Sequence, residues 1–273
     1  MDAEAHTRVS PVSRMLLLFS ACSLDIAINY PLWIYAKRVM AGLPRVRIRE
    51  IYKGAGSLLL SCGPMTTLQD LTCFLILQRT GDGPTSTQAV SQTAHAMSAC
   101  VSGAIGGLCV GAQIESIITR AHAMRESVWC TTKKTYSLGG FKALAFPYGG
   151  LMMAAREVPY AGTLFFLSGW IRERLTRNGI GEGVGRDILA ALLSATIVGP
   201  ISHVPSVIAS HQQANNASIS TACREMYATG GGTSFFRGIL PRTLTLAGSL
   251  FVIPCAIEFL QPLIEVSGPP LLV

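Results

Sequence analysis

The chain has 273 residues, of which 49% are hydrophobic and 14% charged, against about 25% charged in an ordinary soluble domain, and its mean hydropathy is +0.42. That balance argues against a disordered tail, a coiled coil or a nucleic-acid-binding module, and it makes lipid the main solvent. The net charge of +7, from 22 Lys+Arg against 15 Asp+Glu, reads in so apolar a chain as a topology signal rather than a nucleic-acid footprint.

A helix needs about 20 mostly apolar residues to cross a hydrocarbon core of about 30 Å. In chain order, the stretches 13–38, 56–79, 94–120, 147–172, 187–212 and 241–263 meet that need and are predicted as six spans. They carry Asp25, Asp70, Glu115, Arg156, Glu157 and His203 and many Gly, Ser and Thr residues, a pattern that predicts a bundle with a polar interior. Gly103-Ala104-Ile105-Gly106-Gly107 predicts a close helix approach. The eight cysteines, none in a CxxC pair, read as buried thiols. The first six residues lack the basic segment of a removable targeting sequence.

A unit recurs three times. Tyr52-Lys53-Gly54, Tyr148-Gly149 and Phe236-Arg237-Gly238 each precede an apolar span, and their glycines are 95 and 89 residues apart. The expected units are 1–82, 83–178 and 179–273. The polar segments 37–53, 119–149 and 211–242 hold 14 of the 22 Lys/Arg residues, which by the positive-inside tendency puts them on the inner side and both termini outside. Each is expected to hold a short surface helix, most clearly from Ser220 to Tyr227, with Gly230-Gly231-Gly232 as its stop. Arg45-Val46-Arg47-Ile48-Arg49 and Lys133-Lys134 read as basic membrane flanks, with contact to anionic head groups such as cardiolipin as the alternative.

This triplicated pattern, with Ile51-Tyr52-Lys53-Gly54, Ala155-Arg156-Glu157-Val158-Pro159-Tyr160 and Ser234-Phe235-Phe236-Arg237-Gly238-Ile239-Leu240-Pro241-Arg242 as its best-matched stretches, resembles the mitochondrial solute carrier family over about residues 12–265. The resemblance implies an all-α membrane protein, with six transmembrane helices in three pseudo-threefold repeats and short matrix-side helices, in the inner mitochondrial membrane. It also implies a salt-bridge ring on the odd-numbered helices from Pro-x-Asp/Glu-x-x-Lys/Arg motifs. Those places hold Pro31, Trp33 and Ala36, then Gln113, Glu115 and Ile118, then Pro205, Val207 and Ser210, with Lys37 one residue out of place. The second network implied by the family keeps Arg172 and Glu258 only as scattered members. Substrate contact, by the same resemblance, falls on Ser61 and Cys62, Arg156 and Glu157, and Thr245 and Leu246.

With both networks mostly missing, the sequence favours a structural or accessory subunit of a larger inner-membrane complex, in contact with membrane lipid, over a divergent transporter of a small-molecule substrate. The matrix end is expected to be held by apolar contact, with Trp33 and Val207 packed against neighbours or lipid, and Arg156 is expected to be the one positive contact at mid-membrane. The histidines show no ligand spacing, and no catalytic signature such as G-x-S-x-G, H-E-x-x-H or a P-loop appears. No enzyme activity, metal or cofactor is expected, apart from the lipid named above.

Overall fold

The computed structural model describes residues 11–44, 50–79 and 92–264. Two long helices, α1 (Pro11–Met40) and α2 (Ala55–Arg79), are followed by α3 (Gln92–Met124), which contains a π-helical turn at Gly107–Gly111. The short α4 (Val128–Ala145) leads to α5, whose parts Gly150–Gly162 and Ser168–Arg177 are joined through a second π turn at Thr163–Leu167. Then come α6 (Val184–Asn215), the short α7 (Ile219–Gly230) and α8 (Ile239–Leu260). No strand occurs among the described residues.

Four helices are long and apolar enough to cross a membrane, over Met15–Met40, Gln92–Met124, Val184–Asn215 and Ile239–Leu263. The other two, α2 and α5, are of similar length but carry more polar side chains, with Thr66, Gln69 and Asp70 buried in α2 and Arg156, Glu157, Thr163 and Ser168 buried in α5. The six long helices form a closed ring in the order α1, α2, α3, α5, α6, α8, each packing most extensively on its two neighbours.

The connections repeat a backbone pattern. Gly54, Gly149 and Gly238 each take a left-handed φ, at 91°, 89° and 78°, immediately before α2, α5 and α8, a conformation that glycine adopts without steric cost. Helices α3 and α6 end on the left-handed residues Arg125 and Asn216. Both short helices start at a serine, Ser127 or Ser218, whose hydroxyl accepts from a backbone N–H three residues on. Gly140 and Gly231, with φ of 60° and 57°, then break the helical backbone in the same way. One offset of 91 residues relates Arg125 to Asn216, Ser127 to Ser218 and Gly140 to Gly231. The basic run 45–49, in the corresponding first segment, lies outside the described residues.

Two apolar clusters fill the ring's ends. At the end carrying the α1 N-terminus, all six long helices contribute, among them Leu17, Leu77, Ala99, Phe165, Val198 and Ile253. At the end carrying α4 and α7, Ala36 and Met40 pack on Val207, Ile208, Ala222 and Met226. Trp33 belongs to a third cluster with Tyr30, Ile34 and Ile118, so Trp33 and Val207 both pack on neighbours as expected. Glycine sets the α3–α5 distance. A Cβ on Gly103 would lie 2.4 Å from the Glu157 carbonyl oxygen, and one on Gly107 would lie 2.7 Å from Glu157 Cγ.

Candidate functional site

Between the apolar ends lies a cavity of about 100 Å³, room for several waters at about 10–15 Å³ each. It is lined from α1 by Asp25, Asn29, Tyr30 and Trp33, from α2 by Cys62 and Met65, and from α3 by Glu115. Helix α5 adds Arg156, Glu157 and Tyr160, and α8 adds Arg242, Thr245, Leu246 and Ser249.

A buried charge network borders the cavity. Lys37 Nζ donates to Glu115 Oε2 at 2.6 Å and to Gln213 Oε1 at 3.0 Å, joining α1, α3 and α6. Thr119 donates to the same Gln213 oxygen. Arg156 forks onto Glu115, with Nη1 to Oε2 at 2.9 Å and Nη2 to Oε1 at 2.7 Å, and its Nε donates to Glu157 Oε1 at 2.9 Å. Lys37 and Arg156 thus balance Glu115 and Glu157. Bidentate arginine geometry fixes direction as well as energy, so Glu115 is clamped between Lys37 on α1 and Arg156 on α5.

Two further charges line the same space without an ion pair among the described residues. Arg242 is 6% exposed, forms no ion pair among the described residues, and its Nε has no hydrogen-bond partner. Among the described residues Asp25, 9% exposed, is held by neutral donors, Asn29 Nδ2 to Oδ1 at 2.6 Å and Ser249 Oγ to Oδ2 at 3.0 Å. At the far side of the apolar plug, Arg172 lies 3.8 Å from Glu258 and 3.6 Å from Asp187, which connects α5, α8 and α6.

These contacts correct several sequence expectations. The ion pair missing from the in-register motif does form, because the long side chain of Lys37 reaches Glu115 from one residue beyond Ala36. The end bearing α4 and α7 is therefore held by a polar link as well as by apolar contact. Arg172 and Glu258, read as scattered members, meet across two helices. Arg156 is not the sole positive contact, since Arg242 faces the cavity too.

Of the six substrate-contact candidates, Cys62, Arg156, Glu157, Thr245 and Leu246 line the cavity, whereas the Ser61 hydroxyl is used on the Leu58 carbonyl. Among the motif positions, Trp33 and Glu115 line it, while Ala36 and Ile118 are buried just beyond. Gln113 instead donates to the carbonyls of Leu108 and Ala145. Pro31 and Pro205 sit inside continuous helices, and Ser210 donates back to Ser206.

Sequence reasoning missed Asp25, Asn29, Lys37, Gln213 and Arg242 as a group. Helical spacing held the signal: Arg242, Thr245 and Ser249 share one face of α8, and Asp25, Asn29 and Trp33 share one face of α1. Arg242 falls in the polar segment 211–242 by composition, but α8 begins three residues before it and carries it inside the bundle. Among the described residues no group of three or more His, Cys, Asp and Glu side chains is placed to hold a metal ion.

No protein-family model matches the chain, and no curated protein is similar to it in sequence.

Proposed function

We propose that the chain is a membrane-embedded carrier of small solutes, a divergent relative of the mitochondrial solute carriers built from the repeats 1–82, 83–178 and 179–273. On this reading six helices span the inner mitochondrial membrane and both termini face the intermembrane space. The observation that carries the proposal is the pair of buried charges of opposite sign, Arg242 and Asp25, that line one cavity without an ion pair among the described residues. An unpaired charge withdrawn from water costs several kcal/mol, which a purely structural bundle has no reason to retain.

Links at both ends give the cavity a means of opening. Breaking Lys37–Glu115 would part α1 from α3 at the end bearing α4 and α7. Separating Arg172 from Glu258 and Asp187, with the apolar plug, would open the other. A bound solute that weakens one link by drawing on the shared network biases which end opens. The test is uptake of labelled small solutes into liposomes holding the purified chain. Saturable uptake that is lost on Arg156→Ala supports the carrier, and protein-independent leakage alone overturns it. Because the cavity is small, ATP, malate and citrate are expected not to exchange at carrier-like rates, and rapid exchange of any of them would contradict that size limit.

One observation favours the second reading, an accessory subunit of a larger membrane complex. On and just after α4, Trp129, Phe141 and Phe146 are 68%, 76% and 77% exposed at one end of the ring, more apolar surface than an unpartnered rim requires. Stoichiometric co-purification with a larger complex in mild detergent would support it, whereas migration only at the chain's own mass, with no crosslinked partner, would remove it.

A further inference from the structure

We infer that the cavity's ligand is a short zwitterionic amino acid, its carboxylate held by Arg242 and its ammonium by Asp25; this rests on the carrier reading above. The charge balance leads to this class. Lys37, Glu115, Arg156 and Glu157 balance one another in charge through five hydrogen bonds, all of those to Glu157 falling on Oε1, so neither Arg156 nor Glu157 is left with its full charge for a ligand. Arg242 and Asp25 are the two lining charges outside that network, and they are opposite in sign. A simple anion would compensate Arg242 and leave Asp25 facing it, while a simple cation would do the reverse. A zwitterion satisfies both without adding net charge to a buried site, where an uncompensated charge is costly.

Ser249, which donates to Asp25, lies seven residues beyond Arg242 on α8, so the two charges border the cavity at different levels along that helix, as the two ends of one ligand require. Asn29 and Ser249 each occupy one Asp25 oxygen and fix the carboxylate plane, leaving its other lone pairs to accept from an ammonium. The Tyr160 and Thr245 side chains line the same cavity. The volume suits a ligand of a few heavy atoms and excludes a nucleotide.

The test is a thermal melt of the full chain in mild detergent with glycine, β-alanine or γ-aminobutyrate, against acetate and methylammonium at equal concentration, followed by liposome uptake of the same compounds. At least one zwitterion is expected to raise the melting temperature by several degrees and to enter liposomes, with neither singly charged compound doing so. Asp25→Asn should move the preference toward acetate, and Arg242→Gln toward methylammonium. If either variant fails to fold, the charge-retaining Asp25→Glu and Arg242→Lys serve, since each changes a reach and should shift the optimum chain length within the zwitterion series. An unshifted optimum in both would overturn the assignment. Stabilisation by acetate or methylammonium equal to that by the zwitterions overturns the amino-acid assignment and leaves the carrier reading standing. If none of the five stabilises the chain, and labelled solutes of other classes also fail to enter the liposomes, both readings fall.

Discussion

Glu115 is the residue on which the interior network turns, because it accepts from Lys37 on α1 and from both Arg156 Nη atoms on α5. Removing one partner of a buried ion pair leaves the others uncompensated and typically costs about 3–5 kcal/mol. Glu115→Gln is therefore expected to lower the melting temperature in detergent steeply. Arg242→Met should behave in the opposite way. It removes a buried charge that has no ionic partner, so the melt should be unchanged or raised while solute uptake is lost, the trade expected of a functional group kept at a cost in stability. An equal loss of stability in both variants would show that Arg242 is a structural member of the network.

At the scale of elements, the ring depends on how closely α3 and α5 approach. A Cβ on Gly103 would meet the Glu157 carbonyl oxygen at 2.4 Å and Ala161 Cβ at 2.7 Å, and backbone cannot yield as a flexible side-chain tip does. Gly103→Ala should destabilise by about 1–3 kcal/mol in a thermal or denaturant melt, the range for overpacking. Gly169→Ala, also in a helix but with no atom within 4 Å of the added Cβ, should be neutral or stabilising by up to about 1 kcal/mol. The π turn at Gly107–Gly111 belongs to the same interface. It inserts extra backbone into α3 just before Glu115, rotating the following residues relative to the preceding face.

For the whole molecule, closure at both ends has a measurable consequence. Cys62 lines the cavity, so in a chain left with that single cysteine, membrane-impermeant thiol reagents should label it slowly from either side. Lys37→Gln should increase labelling several-fold from the side bearing α4 and α7 only, because it loosens the α1–α3 link and leaves the apolar plug intact. Equal acceleration from both sides, measured on sealed vesicles of known orientation, would contradict the two-ended closure.

The sequence by itself determined the positions of the long helices. The stretches predicted at 13–38, 56–79, 94–120, 147–172, 187–212 and 241–263 fall within helices to a few residues at each end, and four of those helices have the length and apolar character that crossing a membrane demands. It also marked Gly54, Gly149 and Gly238, because a left-handed residue ahead of a helix leaves a local signature that needs no tertiary partner. Which charges would meet was decided only by the tertiary structure. Lys37 and Glu115 are separated by 78 residues, and a motif that assigns an acid and a base to fixed places does not register that a lysine one residue late still reaches. Arg242 and Asp25 stand apart from the network for the same reason. Pairing is a property of the closed ring, where distances across helices rather than along them set which ions compensate one another.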